Sequence, residues 1–301
     1  MAKTTNADGQ DIARLSVVIV SYQSDGEIRD CLDSLREHND IGDRLEIVVV
    51  EQSPTDRLYR ELCVAYPDIT VIRHENKGFG AGNNAGAAAS TAEYLLFLNP
   101  DTVLVEPVFS FACRMFSEDM ALGVFGVRLL DAKGDPALSF HFRDPKGGIA
   151  QQVAWKACNK FDVFMPRCMH VQGADMFVRR AAFVGAGGFD ENIFMYNEEQ
   201  DLCNRINHAG YRVAYFPQLH IKHLEGQSSG GKSTRSAFAL SMDLDSLAYY
   251  CEKYQLDYSA HLRRWRRYDM LLLAVKPHSP ARGMFAEEIA AIDRRLDELD
   301  A

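Results

Sequence analysis

Several features that would point to other protein classes are missing from this sequence. No apolar run approaches the length of a transmembrane helix, and the polar segment 1–14 lacks the apolar core of a signal peptide. The seven cysteines show no CxxC spacing, which argues against a zinc site and favours isolated thiols in a reducing compartment. A net charge of -9 argues against a general affinity for nucleic acid. We therefore expect a cytoplasmic globular protein with a disordered tail over residues 1–14.

What the sequence does contain is an alternation of short apolar runs with helical stretches. Hydrophobic content is 47% and charged content 25%, as in ordinary globular proteins. The apolar runs have strand length and no polar alternation, which is typical of strands buried on both faces of a parallel sheet. These runs cover residues 15–20, 47–50, 69–72 and 94–98.

The pattern predicts an α/β domain with a mostly parallel sheet flanked by helices, over residues 15–230. A first half would span about 15–105. A second half, with weaker periodicity at 131–170, would span about 106–230. Residues 231–301 are predicted to be mostly helical, with a break around Pro277 and Pro280.

Polar residues follow two of the predicted strands at the point where each strand ends. Asn99 and Asp101 come after the run 94–98, and Glu51 follows the run 47–50. The carboxyl ends of strands in open parallel sheets are where ligands bind. A carboxylate there suits Mg²⁺ that bridges phosphates, while the alternative for Asn99-Pro100-Asp101 is a simple turn.

A glycine-rich segment, residues 76–86, opens a small-residue helix. Such a segment lets a backbone approach a ligand and directs N–H groups at anions. It does not match the GxGxxG pattern of dinucleotide-binding proteins.

An acidic block begins another predicted helix, over residues 198–209. Within it Glu199 shares one face with apolar residues three, four and seven positions later, namely Leu202, Cys203 and Ile206. This face would turn inward and carry Glu199 with it. Asp201 lies four residues before Arg205, so a surface ion pair is the alternative to a functional role. For Glu198 the alternative is compensation of the helix dipole.

Four blocks taken together resemble the inverting glycosyltransferases of family two, which have a GT-A fold. The blocks are residues 16–24, 48–56, 96–102 and 173–229. Within that family the sequence is similar to the branch that contains rhamnosyltransferases of bacterial surface polysaccharides. The resemblance implies sugar transfer from a nucleoside-diphosphate sugar, such as dTDP-rhamnose or a UDP-sugar, to a hydroxyl of a glycan or lipid-linked acceptor. It also implies a Mg²⁺ or Mn²⁺ cofactor.

The resemblance implies roles for the residues on the donor side. Tyr22 and Glu51 would contact the base and ribose of the nucleotide. Asn84 and the glycine-rich segment, with Lys77, would line the nucleotide pocket. The segment containing Asn99 and Asp101 occupies the place of an Asp-x-Asp metal motif, which makes Asp101 a metal ligand.

The resemblance also places the catalytic carboxylates. Residues 198–202 correspond to a Glu-Asp-x-Asp-Leu motif, which makes Glu199 the candidate base and leaves Glu198 and Asp201 as further catalytic candidates. His223 corresponds to a histidine that reaches the metal or diphosphate. The chain departs from the family pattern where Glu51-Gln52 replaces Asp-Asn and where Glu199 replaces Asp, so each acid is longer by one methylene.

Residues 226–233 fit the GxxxxGK[ST] pattern of P-loop NTPases. The charged residues at 220–225 do not suit the buried strand that must precede a P-loop. We favour a loop that closes over the donor phosphates, with Lys232 and Arg235 as counter-charges. A P-loop NTPase and a catalytically inactive scaffold that binds sugar nucleotides are the alternatives to a transferase.

The predicted C-terminal helices carry two features of interest. Residues 261–273 combine arginines, aromatics and leucines, as in helices that lie on anionic membranes. The alternative is a helix that packs its leucines on the protein and leaves its arginines in water. The helix predicted over 281–300 could form a homodimer contact.

Overall fold

The apolar runs of the sequence form the centre of an eight-stranded sheet. The computed structural model describes residues 14–144, 148–224 and 236–300. Within these ranges the strands are β1 (Leu15–Ser21), β2 (Leu45–Glu51), β3 (Thr70–Arg73), β4 (Tyr94–Leu98), β5 (Thr102–Leu104), β6 (Leu122–Leu130), β7 (Phe140–Phe142), β8 (Met169–Val171), β9 (Asp175–Arg179) and β10 (Arg212–His223).

Helices surround the sheet and make up the C-terminal region. In the described ranges they are α1 (Glu27–Glu37), α2 (Arg57–Ala65), α3 (Phe79–Ala88), α4 (Phe109–Glu118), α5 (Ile149–Lys160), α6 (Arg180–Gly185), α7 (Glu198–His208), α8 (Ala237–Lys253), α9 (Tyr258–Val275) and α10 (Arg282–Asp300). A short 3-10 helix spans Gly42–Arg44.

The large sheet has the strand order β3-β2-β1-β4-β9-β6-β10-β5. Strand β1 pairs in parallel with β2 and β4, β2 with β3, and β6 with β10. Strand β9 is antiparallel to both of its neighbours, so β6 and β10 run in the same direction as β4. The prediction of a mostly parallel sheet is confirmed, and the carboxyl ends of β1, β2, β4 and β10 lie along one edge.

The central strands are buried on both faces, as their composition predicts. In β1, Val17 and Ile19 pack in the cluster that includes Leu32 of α1, whereas Val18 packs in the cluster that includes Leu202 of α7. Each fully buried aliphatic side chain of this kind contributes about 1.5–3 kcal/mol. Two apolar faces leave no position for a polar residue, which explains the missing alternation.

The C-terminal helices form a small core of their own and also contact the sheet domain. The predicted break at Pro277 and Pro280 separates α9 from α10. The buried residues of this core are Leu240, Leu244, Leu247, Cys251, Leu262, Trp265 and Ile292. No helix within the described ranges is both long enough and apolar enough to span a bilayer.

The structure contains order where the sequence analysis found weak periodicity. Residues 131–170 include the helix α5 and the antiparallel pair β7–β8. The predicted tail 1–14 lies outside the described residues except for Arg14, whose carbonyl accepts the N–H of Tyr94 at 3.1 Å.

Candidate active site

Polar side chains gather at the edge of the sheet where β1, β2, β4 and β10 end. Tyr22 directly follows β1, and Glu51 is the last residue of β2. Asp101 follows β4, and His223 is the last residue of β10. The sequence-based expectation that these residues share one edge is consistent with the observed topology.

Asp101 and His223 lie side by side and are both buried. The Nε2 atom of His223 is 3.3 Å from Oδ1 of Asp101 and 3.4 Å from Nδ2 of Asn99. Strand β5 places Thr102 opposite His223 in the ladder with β10, and the N–H of Leu224 donates to the carbonyl of Asp101 at 2.9 Å. Backbone pairing therefore brings the two side chains together.

The segment from Asn99 to Asp101 is also a turn, so the two alternatives from the sequence are compatible. The carbonyl of Asn99 accepts both the N–H and the hydroxyl of Thr102, at 3.2 and 2.7 Å. This turn reverses the chain from β4 into β5 and directs Asp101 towards His223.

The end of β2 presents a buried carboxylate on the nucleotide side of the predicted site. Glu51 is fully buried. Its Oε1 accepts the N–H of Ser53 at 2.7 Å and lies 3.8 Å from the guanidinium of Arg73. Its Oε2 has no hydrogen-bond partner among the described residues. A buried oxygen without a partner is costly unless a ligand supplies a donor.

The glycine-rich segment brings α3 into contact with the loop that precedes α7. Gly78 has φ +102°, and a Cβ there would lie 2.2 Å from the carbonyl oxygen of Phe194. The N–H of Phe79 donates to the same carbonyl at 3.0 Å. This N–H, which the sequence suggested for anion binding, is thus directed at the protein, and the close approach requires glycine.

Two further residues predicted for the nucleotide pocket make contacts within the protein. The amide of Asn84 donates to the carbonyl of Phe189 at 3.0 Å and accepts the N–H of Phe189 at 2.8 Å. Lys77 is exposed and pairs with Glu75 at 3.3 Å. Asn84 therefore ties α3 to the loop before α7, while Lys77 stays accessible.

The acidic helix begins after an unusual backbone segment. Tyr196 and Asn197 have φ +70° and +68°, values that non-glycine residues adopt at a cost of about 1–3 kcal/mol each. The predicted helix over 198–209 is observed as α7, with Leu202 fully buried. Two residues with positive φ in succession turn the chain so that Glu198 and Glu199 start the helix at the site.

Burial changes the acidity of the two glutamates at this helix start. Glu198 is buried, and Glu199 is partly buried beside Gly173. Burial, reinforced by the charge of Glu199, raises the pKa of Glu198 well above its usual range. Burial, with a smaller contribution from Asp243 of α8, raises the pKa of Glu199 to about 7. A carboxylate with a pKa near neutrality suits a general base.

Asp201 forms the ion pair with Arg205 that the sequence offered as an alternative, but this pair does not lie on the surface. Asp201 is fully buried, although its Oδ2 does accept Nε of Arg205 at 2.7 Å. Its Oδ1 accepts the hydroxyl of Tyr254 at 2.8 Å and lies 2.6 Å from Nζ of Lys253. The helix α8 covers this side of α7, and i,i+4 spacing alone does not reveal a covering helix that follows far along the chain.

Some expected residues lie outside the described part of the chain. These are Lys232, Arg235 and the whole of the P-loop pattern at 226–233. Among the described residues, no cluster of three or more His, Cys, Asp or Glu side chains could by itself hold a metal. Among the described residues at this edge, Asp101 and His223 are the adjacent pair whose side chains could contribute to a cation site.

Comparison with known proteins identifies the family. Residues 16–173, more than half of the chain, match the family model described as Glycosyl transferase family 2. The chain belongs to glycosyl transferase family 2. The resemblance drawn from the four sequence blocks is thereby confirmed.

Two curated relatives support the same assignment for this glycosyltransferase. It is 28% identical to the rhamnosyltransferase WbbL of Escherichia coli over 228 residues, which cover 69% of this chain and 82% of WbbL. It is 42% identical over 60 residues to an N-acetylglucosaminyl-diphospho-decaprenol L-rhamnosyltransferase of Mycobacterium tuberculosis, a match that covers 20% of each chain.

The fold of this glycosyltransferase is that of solved GT-A enzymes. It superposes on the mannosyltransferase PcManGT of Pyrobaculum calidifontis, solved in complex with GDP-Man and Mn²⁺, with a TM-score of 0.61 at 16% identity. The match covers 94% of this chain and 87% of the other. At this identity the likeness concerns the fold alone.

The sequence analysis missed one carboxylate at the site of the glycosyltransferase. Asp175 opens β9, is fully buried and accepts the N–H of Val127 at 2.7 Å. Burial raises the pKa of Asp175 well above its usual range, and His223 opposes the shift. The available signal was a single acid at the start of an otherwise apolar strand.

Proposed function

We propose that this glycosyltransferase inverts the anomeric centre of a nucleoside-diphosphate sugar and transfers it to a hydroxyl of a glycan or lipid-linked acceptor. The donor would be dTDP-rhamnose or a UDP-sugar, and the product a part of a surface polysaccharide. Similarity to WbbL and to the mycobacterial enzyme, whose names state rhamnosyl transfer and a lipid diphosphate acceptor, supports this choice.

The observation that carries the proposal is a pair of carboxylates on either side of one segment: Glu199 of α7 lies beside Gly173, and the next residue, Ala174, accepts the N–H of Asn99 at 3.1 Å. Asp101, beside His223, offers hard donor atoms where a diphosphate would lie. Glu199, at the start of α7, offers a carboxylate that titrates near neutral pH. A transferase needs both a group for the leaving diphosphate and a base for the attacking hydroxyl.

The donor side is built to receive a nucleotide. The Oε2 atom of Glu51 is buried and has no partner among the described residues. It could therefore accept a hydrogen bond from a base or a ribose hydroxyl. Tyr22 is half-exposed next to it and can contact the base. A scaffold with Glu51 and Tyr22 alone would bind the donor without turnover. The carboxylates of α7 therefore distinguish a transferase from a binding scaffold.

Asp101 and His223 fit a divalent cation. One carboxylate and one imidazole leave most coordination positions to diphosphate oxygens and water, as is usual for Mg²⁺ in nucleotide enzymes. When bound, the cation would compensate the charge of the leaving diphosphate. The Mn²⁺ in the PcManGT complex supports a cation in this fold.

Glu199 would act on the acceptor. Its carboxylate takes the proton of the acceptor hydroxyl while that oxygen bonds to the anomeric carbon. The bond from that carbon to the diphosphate oxygen breaks, and the nucleoside diphosphate leaves with the electron pair. Attack opposite the leaving group inverts the anomeric centre.

The test is donor binding and turnover in Asp101→Ala. We expect transfer to be lost, and donor binding to weaken only when Mg²⁺ or Mn²⁺ is present; His223→Ala should show the same metal dependence. Thermal-shift titration with nucleotide sugars measures the binding. Asp43→Ala, an exposed change in the 3-10 helix before β2, is the control.

Other outcomes select the alternatives. Full activity in Asp101→Ala would reduce the Asn99–Asp101 segment to a turn. Metal-dependent donor binding without any turnover by the wild type would favour a binding scaffold. Hydrolysis of ATP or GTP that disappears in Lys232→Ala would favour the NTPase.

A further inference from the structure

The helix α5 presents an apolar stripe to solvent. Its exposed residues recur at helical spacing and are small or aliphatic, namely Ile149, Ala150, Val153, Ala154 and Ala157. The side chain of Val153 is 63% exposed. The stripe continues past the end of the helix with Phe161, which is 69% exposed, and with Val163 and Met165. We call this set the α5 face.

The opposite side of α5 makes apolar and polar contacts with the protein, and Cys158 packs against the cluster of Phe140, Met169 and Tyr215. Asn159 is buried and accepts the N–H of Ser139 at 2.8 Å. The indole of Trp155 donates to the carbonyl of Phe140 at 2.5 Å. These bonds fix the orientation of α5, so the exposed apolar stripe is not a consequence of loose packing.

The surroundings of the α5 face are basic in an otherwise acidic protein. Between Pro145 and Ala174 the sequence contains one acid, Asp162. That acid pairs with Arg128 and accepts the hydroxyl of Tyr215 at 2.9 Å. The same stretch contains Lys146, Lys156, Lys160 and Arg167. Within the described residues neither Lys156 nor Lys160 has an acidic partner.

The α9 helix, which the sequence suggested for membrane contact, has a different character. Its residues Leu262 and Trp265 are buried in the C-terminal core. Three of its arginines pair with acids, Arg263 with Asp300 at 3.9 Å, Arg264 with Asp144 at 3.6 Å and Arg266 with Asp293 at 2.5 Å. The exposed apolar residues of α9, Met270, Leu271 and Val275, follow these paired arginines along the helix. On α5 the exposed apolar residues alternate with two lysines that lack acidic partners among the described residues.

The α5 face is connected to the acidic helix. The side chain of Gln200 in α7 donates to the carbonyl of Arg143, just before α5, at 2.9 Å. A cleft of about 590 Å³ is lined by Gln151 of α5, Asn204 of α7 and Tyr254 of α8. A surface bound to the α5 face would therefore lie next to the half of the molecule that carries the base.

We infer that the α5 face docks on an anionic lipid bilayer. Apolar side chains would enter the interface while the lysines meet lipid phosphates, the combination that holds interfacial helices on membranes. The inference rests on the proposed function in one respect: docking would present a lipid-linked acceptor to Glu199. A second copy of this acidic chain or a protein partner is the competing occupant.

The test is co-sedimentation of the full chain with vesicles of phosphatidylglycerol and phosphatidylcholine. The wild type should bind, detach as salt rises, and bind pure phosphatidylcholine weakly. Val153→Ser/Phe161→Ser/Val163→Ser should lower the partition coefficient roughly tenfold or more. Lys156→Gln/Lys160→Gln should lower it by roughly tenfold on anionic vesicles only.

The control changes equally exposed valines elsewhere. Val64→Ser/Val184→Ser removes side chains that are 83% and 66% exposed on α2 and α6, and it should leave vesicle binding unchanged. Thermal unfolding should be the same for all variants, because every changed residue on α5 and in the control is exposed. Sedimentation requires neither donor nor turnover, so its failure is separate from failure of the proposed function, which a soluble acceptor tests.

Four results would overturn the inference. In the first, wild-type protein stays in the supernatant at low salt; in the second, the serine variant binds as well as the wild type. A change of oligomeric state in the serine variant without vesicle binding would assign the face to a second copy. Loss of binding only on replacing Arg263 and Arg267 would return the membrane contact to α9.

Discussion

Glu199 has both the position and the environment of a base. It starts α7, and its pKa is raised to about 7 by burial and the charge of Asp243. Near neutral pH such a carboxylate is partly ionised. General-base catalysis is most effective when the pKa of the base lies near the working pH. Burial and the charge of Glu199 raise the pKa of the neighbouring Glu198 well above its usual range.

Glu199→Gln should lower the turnover number by roughly 10²–10⁴-fold with little change in donor affinity. The wild-type rate should rise with pH and level off above about pH 7, because only the ionised form accepts a proton. The residual rate of the variant should lose this dependence. Steady-state kinetics across the pH range make the measurement.

Glu198→Gln is the matched comparison, since it removes the neighbouring carboxyl but leaves the proposed base. We expect a smaller loss and little movement of the pH limb, because burial and Asp243 raise the pKa of Glu199. A Glu199→Gln enzyme with full turnover would exclude Glu199 as the base.

How much of the site the sequence could predict differs from residue to residue. The phase of Leu202 and Ile206 correctly placed α7 with its apolar side inward, because a helical period is local information. The burial of Asp201 was not predictable, since it depends on Lys253 and Tyr254. The partner of a buried charge is set by tertiary packing, which spacing within one helix cannot encode.

At the level of elements, α8 holds the acidic helix in place. Nζ of Lys253 lies 2.6 Å from Oδ1 of Asp201 in α7 and 2.7 Å from Oδ2 of Asp190 in the preceding loop. Tyr249 also donates to Asp190, at 2.9 Å. Lys253 therefore links α7, which carries the proposed base Glu199, to the loop that precedes it.

Lys253→Met should destabilise the protein by about 1–3 kcal/mol, because two buried or partly buried carboxylates each lose a charged partner. Turnover should fall more than donor affinity, since α7 carries the base and not the nucleotide pocket. Urea unfolding and steady-state kinetics measure the two effects.

Lys253→Arg should restore most of both properties, because it keeps the charge and two donors. Lys276→Met, an exposed change after α9, is the control and should alter neither. Equal losses in turnover and donor affinity for Lys253→Met would indicate general unfolding instead of a local effect on α7.

How well each strand or helix could be predicted depended on its own pattern of buried and exposed apolar residues. Strands β1, β2 and β4 were found because burial on both faces leaves an unbroken apolar run. Helix α5 was missed because its exposed stripe is apolar and its inward side includes Asn159. A helix with apolar residues on its exposed side and a buried amide on its inward side gives no ordinary amphipathic signal.

On the scale of the whole molecule, the buried acids set how stability depends on pH. Glu199 has a pKa of about 7 in the fold against an ordinary 4.5, so between these values the folded chain holds a proton that the unfolded chain releases. The contribution of Glu199 to the free energy of unfolding is complete below pH 4.5 and is lost as pH rises through 7. Glu198 and Asp175, with pKa values raised by burial, act in the same direction.

Asp190 acts in the opposite direction at low pH. Burial opposes the shift, but hydrogen bonds from Lys253, Asn192 and Tyr249 lower the pKa of Asp190 to about 2. Its contribution is present above its ordinary value of 3.8 and is lost as pH falls through 2. Stability should therefore be greatest in mildly acidic solution and decline towards both extremes.

The free energy of unfolding should be higher at about pH 5 than at about pH 8, by a few kcal/mol. Glu198→Gln/Glu199→Gln should flatten the decline above pH 5, because an amide carries no charge to bury, and should be more stable than the wild type at about pH 8. Urea unfolding at a series of pH values measures this. Glu37→Gln/Glu75→Gln, which changes two exposed glutamates, should keep the wild-type slope. If the carboxyls of Glu198 and Glu199 ionise freely in the fold, the plots of unfolding free energy against pH will be parallel for the double variant and the wild type. If the double variant is instead more stable at about pH 8, the proposed base of this glycosyltransferase is held at a cost to the stability of the fold.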